Sequence, residues 1–239
     1  MLVSSVNSRP FSWQDLSHGD ALLAHIDRAL LPWWPKVFGY HLLKLGHLAR
    51  DLDTSACRIN HQVSLAQEPG CGVLASCSDL PFAYGAFDAA VLPCLLEFEA
   101  DPYRILREVD RVLISGGYLL IVGFNPMSPL FIGKMLPKHQ RQYPWCGHFY
   151  LPSRVKDWLN LLGYQLVADE RVLYHSLIGQ LKSHSLWQEG LKSWLPSAGS
   201  LYVLIARKID YPLTPIRQKQ VVKRRQWGTV TSAGRLPRK

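Results

Sequence analysis

The sequence predicts an α/β fold, a doubly wound and largely parallel sheet with helices on both faces, and three observations predict it. From Asp79 to Pro126 a strand, a helix and a second strand follow one another without a break. That second strand, Tyr118 to Phe124, is apolar at every position except Gly123, as expected of a parallel strand covered on both faces. Downstream, an amphipathic helix and two further strand-like runs continue the alternation of elements that characterises α/β sheets.

Residues 11–38 read as a helical leader. An amphipathic run from Ala21 to Leu31 is followed by Pro32-Trp33-Trp34-Pro35, whose large rings are expected to bury against a sheet edge. His41 to Leu45 is the first predicted strand, Cys57 to Leu65 the second, Gly72 to Ser76 the third and Phe87 to Pro93 the fourth. Asp101-Pro102 then supplies an N-cap and a first-turn proline. Ile105, Leu106, Val109, Val112 and Leu113 recur at three-and-four spacing, with Arg104, Arg107, Glu108, Asp110 and Arg111 on the opposite face, so a helix follows. Ser115-Gly116-Gly117 is expected to stop it, and Tyr118 to Phe124 forms the fifth strand.

The segment from Met127 to Tyr150 leaves the fifth strand at the carboxyl edge of the sheet, where open α/β folds bind ligands. It mixes Lys134, Lys138, His139, Arg141 and His148 with Tyr143, Trp145, Phe149 and Tyr150, a content that suits a lid over a flat or anionic substrate. Val155, Trp158, Leu159 and Leu162 then mark a helix closed by Gly163. Gln165 to Tyr174 and Leu201 to Ala206 are the last two predicted strands.

Composition bounds what this fold can be. The chain has 239 residues and 48% hydrophobic content, enough for one α/β domain with appendages. No apolar run approaches the ~20 residues of a membrane span, and the first residues lack a basic stretch followed by an apolar core, so a cytoplasmic location is expected. Five cysteines form no CxxC pair, and Cys146 with His148 is a lone C-x-H without further ligands at zinc spacing, so no metal site is expected. The net charge of +9 is confined to one end. Residues 207–239 hold ten Lys and Arg against Asp210, whereas residues 1–206 hold 17 basic and 17 acidic side chains. The expected organisation is therefore a domain over residues 1–206 and a basic extension over 207–239 with little to bury, through which RNA or DNA could be held.

Asp79-Leu80-Pro81-Phe82, the Phe87-Asp88 strand, Leu96 to Pro102 (LEFEADP), Leu106 to Leu113 (LREVDRVL), Gly116-Gly117 and Gly123 to Pro126 (GFNP) together resemble the methyltransferase type-11 family of class I S-adenosylmethionine-dependent methyltransferases. The resemblance implies a Rossmann-like sheet of about seven strands, the last antiparallel. It also implies S-adenosylmethionine as cofactor and methyl transfer to an acceptor, here expected to be a small molecule. Carried onto this sequence, it assigns cofactor contact to Leu45, Gly46, His47, Gln62, Ser76, Cys77, Pro93 and Cys94, and acceptor-side chemistry to Glu97 and Asn125. In such a domain the leader often packs over the cofactor.

The first loop departs from the family pattern. Lys44 stands at an acidic position, His47 to Arg50 replace glycines, Gln62 aligns with the carboxylate that grips the ribose and Ser76 with the one near the adenine. Losing two charge-assisted contacts of ~1.5 to 3 kcal/mol each would weaken cofactor binding by roughly a hundredfold or more. These departures motivate an alternative function, a cofactor-degenerate domain serving as a nucleic-acid or protein interaction module.

Overall fold

In the computed structural model, residues 9–174, 176–177 and 196–209 are described. Seven strands form one sheet in the order β3-β2-β1-β4-β5-β7-β6: β1 His41–Leu45, β2 His61–Ala66, β3 Val73–Leu74, β4 Phe87–Pro93, β5 Leu113–Phe124, β6 Tyr164–Val172 and β7 Leu201–Lys208. The pairs from β3 through β5 are parallel, while β7 runs antiparallel to both β5 and β6, as the resemblance implies. Strand order reverses direction between β1 and β4, and that reversal places a ligand crevice at their carboxyl ends.

Side-chain alternation along the strands divides the interior into two apolar layers. On one face Leu42, Val91, Leu120, Val122, Val203 and Ile205 meet the leader, whose helix α1 (Gly19–Leu30) contributes Leu22, Ile26 and Leu30. Trp34, in a 3-10 turn after α1, is fully buried there, and Trp33 donates its indole N–H to Glu170 of β6 at 3.2 Å. The tryptophans are thus burial and edge contact, as expected. On the other face Leu43, Ala90, Leu92, Leu119, Ile121 and Leu204 meet α2 (Pro102–Val112) and α4 (Pro152–Leu161). Asp101 caps α2 by accepting from Arg104 N–H at 3.0 Å, and Gly163 with φ +82° turns the chain after α4.

Several element boundaries differ from the sequence expectation, each for a local reason. Ser115-Gly116-Gly117 does not lie between helix and strand, because α2 gives way to β5 at Leu113 and the glycines fall within β5. The register jumps from Phe87↔Leu113 to Ala89↔Tyr118, so the glycines form a bulge. A Cβ at Gly117 would lie 2.9 Å from Ile114 O and 3.0 Å from Asp88 O, which explains the need for glycine. β2 begins at His61 rather than Cys57, and β3 is two residues long. β7 reaches Lys208, so Arg207 and Lys208 belong to the sheet and the domain does not end at Ala206. Lys208 is buried, donating to Asp110 O at 2.6 Å and Leu113 O at 3.2 Å. The remainder of the basic extension lies outside the described residues.

The connection from β1 to β2 contains a 3-10 turn at His47–Ala49 and no α-helix, although parallel crossovers usually carry one. Leu48, Leu52 and Ile59 fill the layer beneath it. Across the molecule, the segment after β5 forms α3 (Leu130–Met135) and is stitched to the leader by the Leu16↔Tyr143 bridge and the Ser17 N–H to Tyr143 O bond of 3.2 Å. Trp145 lies beneath α3, its indole N–H donated to Leu130 O at 2.9 Å.

Candidate functional site

A narrow cleft opens over the carboxyl ends of β1, β2 and β4. Gly46 and His47 follow β1, Ala66 to Glu68 end and follow β2, Cys77 comes from beyond β3, Pro93 to Leu95 from β4, and Arg9 with Pro10 from just ahead of the leader. Gly46 adopts φ +88°, and a Cβ there would press within 3.1 Å of Leu95 Cδ1, so glycine keeps the floor of the cleft open. Its N–H donates to Leu65 O at 2.8 Å, tying the turn to β2.

The polar groups of the cleft form one connected set. Arg9 pairs with Glu99 at 2.7 Å and also donates to Gln67 Oε1. Gln67 in turn donates to Ser76 Oγ at 3.0 Å. Burial pushes the Glu99 carboxyl up, opposed by the Arg9 guanidinium. His47 is buried against the Phe11 ring with centroids 4.5 Å apart, and its Nε2 has no hydrogen-bond partner. Burial lowers its pKa from the ordinary 6.5, so the imidazole is mainly neutral at pH 7.

Of the predicted cofactor residues, Gly46, His47, Cys77, Pro93 and Cys94 line this cleft together. Leu45 lies behind the wall, in the layer shared with α2 and α4. Ser76 reaches the site through Gln67. Gln62 does not reach it. It pairs with Leu42 near the amino end of β2, and at ~3.3 Å rise per residue it sits on the order of 13 Å from the strand's carboxyl end. Its amide instead accepts from Thr54 Oγ1 at 2.8 Å and donates to Ile59 O at 3.1 Å. Lys44 joins the same network, donating to Thr54 Oγ1 at 3.0 Å. Both residues therefore brace the β1–β2 connection in place of a crossover helix.

The carboxylate at the end of β2 is Glu68, which sequence reasoning missed. Pro69-Gly70 directly after it was the available signal, since a Pro-Gly turn marks where a strand stops and shifts the strand end four to six residues beyond Gln62. Arg9 carried no comparable signal, because only folding brings the residues ahead of the leader beside Glu99.

Glu97 and Asn125 prove to be interior groups that do not line the cleft. Asn125 donates to Ser197 O and Gly199 O at 2.8 Å each and accepts from Met127 N–H at 3.0 Å, so its amide clamps the end of β5 to the turn before β7. That occupation corrects its assignment to acceptor chemistry. Glu97 is 2% exposed. Its Oε1 accepts from Phe124 N–H at 2.8 Å, while Oε2 lacks a partner and burial pushes the carboxyl up to about 7. Tyr202 OH lies beside it over Gly123, with burial raising that phenol well above its ordinary range. Among the described residues no cluster of His, Cys, Asp or Glu suits a metal ion. No helix among them is long and apolar enough to cross a membrane.

Comparisons with known proteins agree with this fold. A family model described as a methyltransferase domain matches residues 40–121, the span from β1 to the middle of β5. The uncharacterised protein YafS of Escherichia coli (strain K12) is 36% identical over 214 residues, covering 88% of this chain and 87% of that protein. A SAM-dependent methyltransferase from Archaeoglobus fulgidus superposes with a TM-score of 0.54 at 16% identity, over 78% of this chain and 94% of its own. The [4+2]-cyclase SpnF superposes with a TM-score of 0.53 at 18% identity, over 85% and 86%. These two likenesses establish the fold and leave the reaction to the site.

Proposed function

This chain belongs to the methyltransferase-domain family, as a relative of YafS, and from that premise we propose that it is a cytoplasmic S-adenosylmethionine-dependent methyltransferase acting on a small molecule. The observation that carries the proposal is the cleft where strand order reverses, floored by Gly46 and flanked by Glu68 and Arg9.

The residues present fit the cofactor. Glu68 would accept from ribose hydroxyls, Arg9 would attract a methionyl carboxylate, and the walls of Ala66, Cys77, Pro93, Leu95 and Phe98 suit a nucleobase. S-adenosylmethionine supplies the activated methyl group when bound. A positively charged sulfonium is tolerated because Lys44 is turned to Leu52 O and Thr54, Arg50 to Asp51 and Gly70 O, and His47 is neutral. Glu99 offsets the charge of Arg9. The chain's own work is then to orient the acceptor and exclude water, with Phe98 joining the cleft wall to Tyr143 of the segment after β5 at 5.4 Å between ring centroids. Glu97, unpartnered at Oε2 and poised near neutrality, serves to position the β5 edge rather than to touch the acceptor.

Calorimetric titration with S-adenosylmethionine and S-adenosylhomocysteine tests this reading. Saturable heat from both, weakened by Arg9→Ala, is the expected result. Absence of heat and of thermal shift at millimolar ligand would replace it with the cofactor-degenerate interaction module.

A further inference from the structure

We propose that the segment after β5 docks the protein on an anionic lipid bilayer. α3 has two unlike sides. Leu130 and Gly133 face inward, where a Cβ at Gly133 would strike the Trp145 indole at 2.1 Å. Phe131, Ile132 and Met135, with Leu136 directly after the helix, face outward at i, i+1, i+4 and i+5, and Ile132 is 56% and Met135 71% exposed. Met127 extends the same apolar surface ahead of the helix at 69% exposure. Five large apolar side chains thus stand in solvent within ten residues, although soluble surfaces scatter such groups singly.

Charge identifies the occupant. From Asn125 to Lys156 the sequence contains Lys134, Lys138, Arg141, Arg154 and Lys156 and no Asp or Glu. Lys138 and Arg141 are exposed immediately after the apolar stretch. Lys134 is held inward by its 2.6 Å bond to Gly147 O, so it fixes the segment rather than presenting charge. An outward apolar face rimmed by cations is the chemistry of a segment lying in the headgroup boundary of an acidic membrane, with the side chains inserted and Lys and Arg at the phosphates. The segment packs on the cleft wall through Phe98 and Tyr143 and bonds to Glu97 O through His148 N–H at 2.7 Å, so the docking face belongs to the element that flanks the cleft.

The test is co-sedimentation of the full chain with vesicles of phosphatidylcholine alone and of phosphatidylcholine with phosphatidylglycerol. The protein should sediment with the anionic vesicles. Ile132→Ser/Met135→Ser should lower the partition constant by about tenfold or more, and Met127→Gln/Leu136→Gln similarly, without changing the melting temperature, because the replaced side chains are exposed. Equal partitioning of both double variants and the parent would overturn the proposal in favour of binding by charge alone. Failure of the parent to sediment with anionic vesicles would overturn it outright. A chain ending after Ile209 should keep the ratio between parent and double variant, and loss of that ratio would assign the binding to the basic extension.

Discussion

Glu97 sets burial against the backbone N–H groups of Phe124 and of Glu97 itself, and burial prevails: the carboxyl is pushed up to about 7. Because it titrates near 4.5 in the unfolded chain, the native state binds more protons between those values. Stability contributed by the protonated form is present below pH 4.5 and is lost as pH rises through about 7, by up to ~3 kcal/mol. Glu97→Gln should abolish that slope, keeping an acceptor for Phe124 N–H; urea unfolding at pH 5 and pH 8 reads it, and an unchanged slope would show that another group carries it. Glu68 and Gln62 form a second pair of tests. Glu68→Gln should weaken S-adenosylhomocysteine about tenfold by removing a charged acceptor, whereas Gln62→Glu should leave affinity unchanged. Tighter binding by Gln62→Glu would mean that the ribose lies elsewhere. The family alignment placed the ribose carboxylate at Gln62, four residues before the end of β2 at Ala66, and in a strand that error moves a residue from one edge of the sheet to the other.

Elements with strong local signals were legible. α2 carried a cap, a first-turn proline and an apolar stripe, β4 was apolar after Asp88, and β5 from Tyr118 to Phe124 was apolar except at Gly123. The start of β5 was not legible, since Gly116-Gly117 has the composition of a helix stop and becomes a bulge only because Asp88 O approaches from β4. The bracing of the β1–β2 connection was hidden for a related reason: Lys44, Thr54 and Gln62 are separated in sequence and meet through tertiary packing. Asn125 illustrates how an element end is held. Its amide makes three bonds to the segments on either side of β5 and β7, so Asn125→Ala should cost on the order of 2 to 4 kcal/mol by leaving those groups unpaired. Chemical denaturation measures it, and a loss below ~1 kcal/mol would mean that water replaces the amide.

At the scale of the whole molecule the charge asymmetry and the sheet meet at β7. The sequence suggested a boundary at residue 206, because basic residues become dense there. The antiparallel pairing continues through Tyr118↔Arg207 and Tyr164↔Lys208, and Lys208 also ion-pairs with Asp110 at 3.2 Å. A strand's last pairs and a buried ammonium with two carbonyl acceptors contribute to the fold even though their side chains look like tail. Two truncations separate these roles. Ending the chain after Ile209 removes eight basic residues and one acidic one, and should leave the melting temperature within about 2 °C while abolishing the salt-dependent part of RNA or DNA binding. Ending it after Ala206 should lower the melting temperature by roughly 5 to 10 °C, as loss of ~2 to 3 kcal/mol does in a domain of this size. Equal melting temperatures for the two cuts would show that the final strand pairs add nothing, and equal nucleic-acid binding before and after the longer cut would place any grip in the domain itself.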